Sequence, residues 1–364
     1  MLTMNTPYIV SLPANRVWRT YPGGKILDQI EGKTEPQDTH FPEDWIGSVT
    51  PAKNIGREDK TEEGLSVVEI DGAQRLLKDV FADYAEFMLG KAHYEKYGAV
   101  PFFLLKFLDS QIRLHVQAHP TIPFAQKHLN SNSGKTEGYY ILETRPEVDD
   151  PCIFLGFKTD PNRDDMKRWI ETQNIDAMLA TMHRITVRPG DSFIVPGGFP
   201  HAIGDGVLMV EIMEPTDFAV RLEFERGGYV LPEASRFMNR DVEFALDMLT
   251  LEARTLEALQ EQYFVKPQTI AAAPAGCRRE SLIDDRFTGC FRVERWTVSD
   301  ACSLSLPSFC MVIALNGVGT LEAGNTRLNM KRWSKAFISH AGASSGLSLT
   351  PDNLLELLCV FPPE

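Results

Sequence analysis

The sequence lacks the features that mark membrane, secreted and nucleic-acid-binding proteins. No stretch approaches about 18 consecutive apolar residues, and the opening segment MLTMNTPYIVSLPANRVW has no basic region followed by an apolar run of signal-peptide length. Positive charge is scarce, because 37 Lys and Arg stand against 50 Asp and Glu and leave a net charge of -13. Such a charge repels the phosphate backbone. We therefore expect a cytoplasmic protein whose principal partner is neither a membrane nor a nucleic acid.

Cysteine pairs with metal-binding or redox spacing are also missing. The six cysteines show no C-x-x-C motif, and most lie in apolar, strand-like surroundings: Cys152, Cys277, Cys290, Cys302, Cys310 and Cys359. Free cysteine in such surroundings behaves as a small buried hydrophobe. We interpret these residues as buried free thiols rather than as disulfides or metal ligands.

The chain is long enough for about two domains, and its hydrophobic pattern is mainly that of β-strands. Short β-branched and aromatic runs bounded by Gly, Pro and Asp recur over residues 6–70, 101–119, 139–157 and 183–226. Helical spacing of apolar residues interrupts them near residues 76–88, 166–182 and 232–262. Strand-like runs resume after VKPQTIAAAPAG, which places a predicted boundary between 1–265 and 266–364. We expect a mainly β fold with inserted helices.

The segment RLHVQAHP presents polar side chains at alternate positions. In a strand, where side chains alternate between faces, His115, Gln117 and His119 would share one face, and Leu114, Val116 and Ala118 the other. Such a face is either the wet side of a sheet or the floor of a site.

A second segment, PGDSFIVPGGFPHAIGDG, places a histidine directly after a turn. A strand ends in a Pro-Gly-Gly turn, and His201 then opens the next strand, where a ligand can reach it. The spacing matches the second motif of the cupins, double-stranded β-helix proteins that hold a metal in a barrel. Glu137 follows His119 by eighteen residues. Gln117, His119, Glu137 and His201 thus offer two nitrogens and two oxygens, which suits zinc or another first-row divalent metal. Thiolates are absent from this set, which favours a catalytic over a structural metal site.

Several motifs in order resemble the type I phosphomannose isomerases of the shorter bacterial and archaeal kind, within the cupin superfamily. They are PFFLLKFLD leading into VQAHP, GKTEGYYIL, PGDSFIVPGGFPHAIGDGVLMVEI and TDFAVRLEFER, with weaker similarity at YPGGKILDQ and EDWIGS. The resemblance implies two cupin-type jelly-roll barrels with inserted helices. The first, 1–265, would be the metal-binding catalytic domain, and the second, 266–364, would be a cupin-like β domain without a metal site.

The resemblance also implies an activity and a set of residues. The activity is the interconversion of mannose 6-phosphate and fructose 6-phosphate through an enediol-type proton transfer. The metal would be one Zn²⁺ per chain, on the four ligands named above, with Arg221 as a catalytic residue. Lys135 and Glu211 are both candidates for the base that such a transfer needs, and the choice between them stays open.

Three further residues are expected to contact the substrate. Lys106 lies inside the apolar run PFFLLKFLD, where an ammonium is costly unless it reaches water or an anion. Arg226 is a candidate phosphate contact in LEFER. His115 stands where the family is expected to carry a small Ser, so it could bind an anion, shuttle a proton or fill space.

The sequence leaves two other functions open. One is an isomerase of a different sugar or sugar phosphate, because of His115. The other is a sugar-binding cupin without catalysis. Such a protein would be expected to have lost Arg221 or one of the four candidate metal ligands, whereas all five residues are present. The native metal and the oligomeric state are not determined by the sequence.

Overall fold

The fold is mainly β with inserted helices, as the hydrophobic pattern predicts. A computed structural model describes residues 6–364. The strands before residue 265 are β1 Ile9–Ser11, β2 Arg16–Val17, β3 Glu43–Ile46, β4 Val67–Ile70, β5 Ala73–Leu76, β6 Leu104–Asp109, β7 Gln117–Ala118, β8 Glu137–Thr144, β9 Cys152–Phe157, β10 Met182–Thr186, β11 Ser192–Val195, β12 His201–Ile203, β13 Val207–Met213, β14 Val220–Arg221, β15 Glu225–Arg226 and β16 Tyr229–Val230. The later strands are β17 Gln268–Thr269, β18 Cys277–Ile283, β19 Arg292–Val298, β20 Cys302–Leu304, β21 Cys310–Ala323, β22 Thr326–Lys331, β23 Lys335–Ile338 and β24 Leu347–Phe361.

Helices connect these strands. They are α1 Lys25–Ile30, α2 Leu77–Asp83, α3 Ala85–Leu89, α4 Lys91–Tyr97, α5 Ile122–His128, α6 Arg163–Thr172, α7 Ile175–Ala180, α8 Glu233–Arg236, α9 Val242–Met248, α10 Leu256–Tyr263 and α11 His340–Ser345. Within residues 6–364, none of them is both long and apolar enough to cross a membrane. The helical pattern over 232–262 is divided among α8, α9 and α10, because Asp241 and Thr255 each cap a new helix by accepting a backbone N–H.

Two sheets of the first part face each other across a shared core. One has the order β11-β8-β13-β6-β3-β2 and the other the order β10-β9-β12-β7-β14. Ile141, Phe193 and Met209 of the first sheet pack against Ile153 and Leu155 of the second. Helices α6, α7 and α9 cover the opposite face of the five-stranded sheet. The first residues of β7, β8 and β12, which are Gln117, Glu137 and His201, therefore lie close together between the sheets.

The strand predicted over 113–120 is shorter than the pattern indicates. Only Gln117–Ala118 forms a strand, and Leu114 lines the same cavity as His115 and Gln117 instead of the opposite face. The cause is a side chain: the Glu223 carboxylate accepts the Val116 N–H at 3.1 Å and takes the place of a strand partner. Side chains therefore stop alternating between the two faces of the sheet where the backbone hydrogen bonds of the strand end.

The C-terminal strands form one large sheet that also includes the first strand of the chain. Its main order is β1-β23-β21-β24-β19-β18-β17, with β20 beside β24 and β22 beside β21. Strand β1 pairs antiparallel with β23, from Ile9 opposite Ile338 to Ser11 opposite Ala336. The predicted boundary near residue 265 remains a prediction.

A buried ion pair joins this sheet to the six-stranded one. Lys335 at the start of β23 donates to the Asp44 carboxylate on β3, and both side chains are less than one-tenth exposed. Asp44 also accepts the Asn15 N–H at 2.9 Å. Removing one partner of such a pair leaves the other charge buried and uncompensated.

We therefore expect Lys335→Ala to lower the free energy of unfolding by about 3 kcal/mol, measured by urea denaturation. The double variant Lys335→Ala with Asp44→Ala should lose less than the single variant, because no lone charge is left. Arg327→Ala, which breaks an exposed pair with Glu322 in the same sheet, is the matched control and should leave the midpoint nearly unchanged. Equal midpoints for Lys335→Ala and the control would contradict a structural role for the buried pair.

Candidate metal centre and active site

Close backbone contacts bring the two histidine motifs together. A Cβ at Gly134 or at Gly197 would lie 2.6 Å from the Pro120 carbonyl oxygen, so only glycine permits these approaches. Gly198 has a φ of 87° and donates its N–H to the His119 carbonyl at 2.7 Å. The VQAHP and PGGFPH segments are consequently fixed side by side.

Three predicted metal ligands converge at one buried point. His119 Nε2 lies 3.0 Å from Glu137 Oε1, and His201 Nε2 lies 3.5 Å from Glu137 Oε2. The ligand atoms of the three residues all lie within 4.8 Å of one another. Gln117 is next to them, its amide nitrogen 3.4 Å from His201 Nε2. A 180° turn of that amide would present its oxygen to the same place.

Backbone carbonyls determine which nitrogen of each histidine is available. His119 Nδ1 donates to the Phe218 carbonyl at 2.8 Å, and His201 Nδ1 donates to the Phe199 carbonyl at 3.0 Å. Burial and the nearby Lys135 ammonium lower the pKa of His119 to about 3, and burial lowers the pKa of His201. Both rings are therefore neutral, and both turn an Nε2 lone pair towards Glu137, the arrangement typical of metal-binding histidines.

Glu137 supplies the negative charge of this cluster. Burial would raise its pKa, but the Lys135 ammonium, 3.3 Å from Glu137 Oε1, opposes burial, and the pKa is held well below its usual range. Tyr139, two residues further along the same strand face, donates to Glu137 Oε2 at 2.6 Å. The other oxygen, Oε1, is buried and accepts no hydrogen bond within residues 6–364, although the Lys135 ammonium lies 3.3 Å from it. Two neutral imidazoles and a carboxylate fit a divalent first-row cation.

A cavity lies directly beside the cluster. It has about 520 Å³ of space free of atoms, including the part open to solvent. Gln117 and Lys135 connect cavity and cluster, since both line the cavity and the Lys135 ammonium lies 3.3 Å from His119 Nε2. The cavity brings together most of the predicted catalytic and substrate-binding residues: Lys106, His115, Lys135, Glu211 and Arg221.

Most charges around the cavity are paired with each other. Lys106 lies opposite Glu211 on adjacent strands and forms an ion pair with it, and Glu43 is 3.5 Å away on the other side. Burial, opposed by Glu43 and reinforced by Lys135, lowers the pKa of Lys106 to about 8. Arg221 differs from the others: its recorded partner is the Ser235 carbonyl at 3.1 Å, and no carboxylate of the described chain lies within 4.0 Å of it. Its guanidinium is available to an oxygen atom of a ligand.

Sequence reasoning missed the group that forms the far wall. Arg19 donates to both oxygens of Asp217, at 3.2 and 2.8 Å, and to Glu43 at 3.0 Å. Arg19 and Lys106 together overcome the effect of burial and lower the pKa of Glu43 to about 2. Asp217 and Glu43 lie within the quoted motifs TDFAVRLEFER and EDWIGS, which was the available signal, whereas no pattern pointed to Arg19.

Among the predicted catalytic and substrate-binding residues, Arg226 is the one that lies apart from the cavity lining. Its Nε donates to the Arg113 carbonyl at 2.9 Å, and its Nη1 lies 4.0 Å from the Glu223 carboxylate. A phosphate contact by Arg226 remains a prediction.

The chain matches several curated proteins over long segments. It is 28% identical over 225 residues to the mannose-6-phosphate isomerase ManA of Bacillus subtilis, covering 61% of this chain and 64% of that protein. It is 36% identical over 155 residues to the probable mannose-6-phosphate isomerase GmuF of the same organism, covering 42% and 46%. The matched segments thus span less than two thirds of either relative. The mannose-6-phosphate isomerase of Streptococcus mutans matches over 87% of both chains at 26% identity. No protein-family model matches.

The predicted resemblance to the phosphomannose isomerases is confirmed. Solved structures extend it to the whole fold. The mannose 6-phosphate isomerase from Bacillus subtilis superposes with a TM-score of 0.73 over 97% of this chain and 99% of that one, at 16% identity. A phosphomannose isomerase variant from Salmonella typhimurium gives 0.71 over 98% and 100%, at 15% identity. At such identities the superposition establishes a shared fold.

A substitution at Tyr139, which is not itself a proposed ligand, tests the metal centre. Loss of a hydrogen bond that orients a ligand carboxylate weakens metal binding by about 10- to 100-fold, so we expect that loss in Tyr139→Phe. Chelator competition with zinc measures it. Tyr140→Phe is the matched control, because the next side chain along the strand packs in a different core cluster, and its zinc affinity should equal that of the unmodified chain. Equal affinities for the two variants would contradict the assigned cluster.

Proposed function

We propose that this protein is a metal-dependent aldose-ketose isomerase that interconverts mannose 6-phosphate and fructose 6-phosphate. The observation that carries the proposal is the neutral His119 and His201 pair facing the Glu137 carboxylate at the edge of a charged cavity. The curated relatives named as mannose-6-phosphate isomerases support the reaction and the substrate.

The proposed reaction moves a proton between two adjacent carbons of the open-chain sugar. Lys135 and Glu211 are the proposed bases, since both line the cavity and both are buried away from bulk water. Arg221, free of carboxylate partners in the described chain, would bind the sugar oxygen that gains negative charge. The paired Arg19, Lys106 and their carboxylates would hold the walls in place, so that little reorganisation accompanies binding.

Gln117, His119, Glu137 and His201 are the proposed ligands of the cation. When bound, a divalent cation such as Zn²⁺ would polarise the sugar carbonyl as a Lewis acid. Tyr139 and the two backbone carbonyls that accept from the histidines would keep the ligand atoms oriented towards one point.

We further propose that the chain folds into two barrels. We assign residues 1–265 to a metal-binding catalytic jelly-roll barrel and residues 266–364 to a cupin-like barrel without a metal. The support is the division of the sheets: the two facing sheets lie wholly before residue 265, and all strands of the large sheet except β1 lie after it.

The activity is tested directly with mannose 6-phosphate. We expect formation of fructose 6-phosphate, its loss after chelation of metal, and its recovery on addition of zinc, measured with a coupled spectrophotometric assay. Turnover of an unphosphorylated sugar without turnover of mannose 6-phosphate would replace the proposed substrate. Binding of the sugar phosphate with no turnover of either would indicate a sugar-binding protein.

The role of Arg221 is tested by separating rate from metal content. Arg221→Ala should keep its bound metal and lose kcat by about 100- to 1,000-fold, as expected when a donor to a developing negative charge is removed. His201→Ala should instead lose bound metal. Arg278→Ala, an exposed arginine of the large sheet, is the matched control. If kcat in Arg221→Ala equals that of the control, the role assigned to Arg221 is wrong.

A further inference from the structure

His115 lines the cavity and carries a buried ring nitrogen that has no hydrogen-bond partner in the described chain. The residue is 3% exposed and lines the cavity beside Gln117 and Arg221. Its Nδ1 lies 3.0 Å from the Glu223 carbonyl oxygen. A carbonyl only accepts, so Nδ1 carries the proton and Nε2 carries the lone pair. Within residues 6–364, that buried Nε2 has no hydrogen-bond partner.

The surrounding structure holds His115 in this state. Arg113 donates to both oxygens of the Glu223 carboxylate, at 2.6 and 2.8 Å, and the same carboxylate accepts the Val116 N–H. Arg226 donates to the Arg113 carbonyl and so helps to hold the backbone of Arg113 in place. The carbonyl that accepts from His115 therefore belongs to a segment fixed by several hydrogen bonds.

The contacts of the ring define its neutral form. The Nδ1 proton is donated to the Glu223 carbonyl, and Nε2 has no acceptor of the described chain to which a second proton could be donated. A neutral ring with its proton committed to a carbonyl cannot donate to a phosphate oxygen, and its lone pair repels one. It can accept from a hydroxyl, and an acceptor left unpaired in the complex would cost binding free energy.

We propose that His115 Nε2 accepts a hydrogen bond from a hydroxyl of the bound sugar and thereby selects sugars that carry this hydroxyl, while the phosphate binds elsewhere. The inference rests on the proposed function, because it takes the cavity as the sugar site.

The test compares substrates and variants together. We measure kcat/KM and, by calorimetry, Kd for mannose 6-phosphate, its 3-deoxy and 4-deoxy analogues, and unphosphorylated mannose. In the unmodified chain, one deoxy analogue should be poorer than mannose 6-phosphate by about 5- to 150-fold, the range expected for one unpaired buried acceptor. In His115→Ala that ratio should fall to within about threefold of unity, and in His115→Gln, whose amide oxygen can accept, it should recover in part.

Controls separate this effect from general damage. His115→Leu fills the space of the imidazole ring without a hydrogen-bond acceptor. The same ratios are measured on this variant if His115→Ala does not fold. His183→Ala removes another buried histidine, whose Nε2 is already bonded to the Arg254 carbonyl at 2.8 Å away from the cavity lining. It should retain the ratio of the unmodified chain.

The outcomes are distinct. If the ratio for both deoxy analogues is the same with and without His115, the proposal is overturned. It is also overturned if His115→Ala instead erases the preference for mannose 6-phosphate over mannose, because His115 would then bind the phosphate. An unmodified chain that binds mannose 6-phosphate without isomerising it refutes the proposed function, while the Kd ratios still decide the role of His115. Absence of binding refutes both.

Discussion

The active region depends on one electrostatic constraint: three groups bearing lone pairs are held together at a buried point. Two neutral imidazoles and a carboxylate converge between the facing sheets. Both imidazoles donate their Nδ1 proton to a backbone carbonyl, and the Lys135 ammonium is the positive charge beside them. Such an arrangement favours a cation among these atoms. The glycines at 134 and 197, the hydrogen bond between Gly198 and His119, and the Tyr139 hydroxyl all serve to maintain this convergence.

The same principle extends outward into the cavity. Charged side chains on the far wall neutralise one another, as in the bidentate contact of Arg19 with Asp217. Arg221 and His115 depart from that rule, one as a cation with no carboxylate beside it in the described chain and the other as an acceptor with no donor. Under the proposed function, Arg221 would face an electron-rich oxygen of the sugar and His115 one of its hydroxyls.

The mainly β class, the inserted helices and the segments that carry the ligands could be predicted because they depend on local patterns. Alternation, turn glycines and histidine spacing are properties of short stretches. Prediction failed for the segment around Leu114, because a carboxylate more than one hundred residues away accepts the Val116 N–H in place of a strand partner. Arg19 was missed for a related reason: an arginine in a loop carries no periodic signal, and its partner Asp217 is distant in sequence.

By itself, then, the sequence determined which residues have the chemistry to bind a metal and a sugar, since donor atoms and pKa values in water belong to residue types. Only the tertiary structure decided which nitrogen of each histidine is available, which charges are paired and which of the candidate residues share a cavity. Those properties depend on backbone carbonyls and carboxylates brought in from distant segments. The opposite situations of His119 and Arg226, one within the cluster and one bracing Arg113, follow from packing alone.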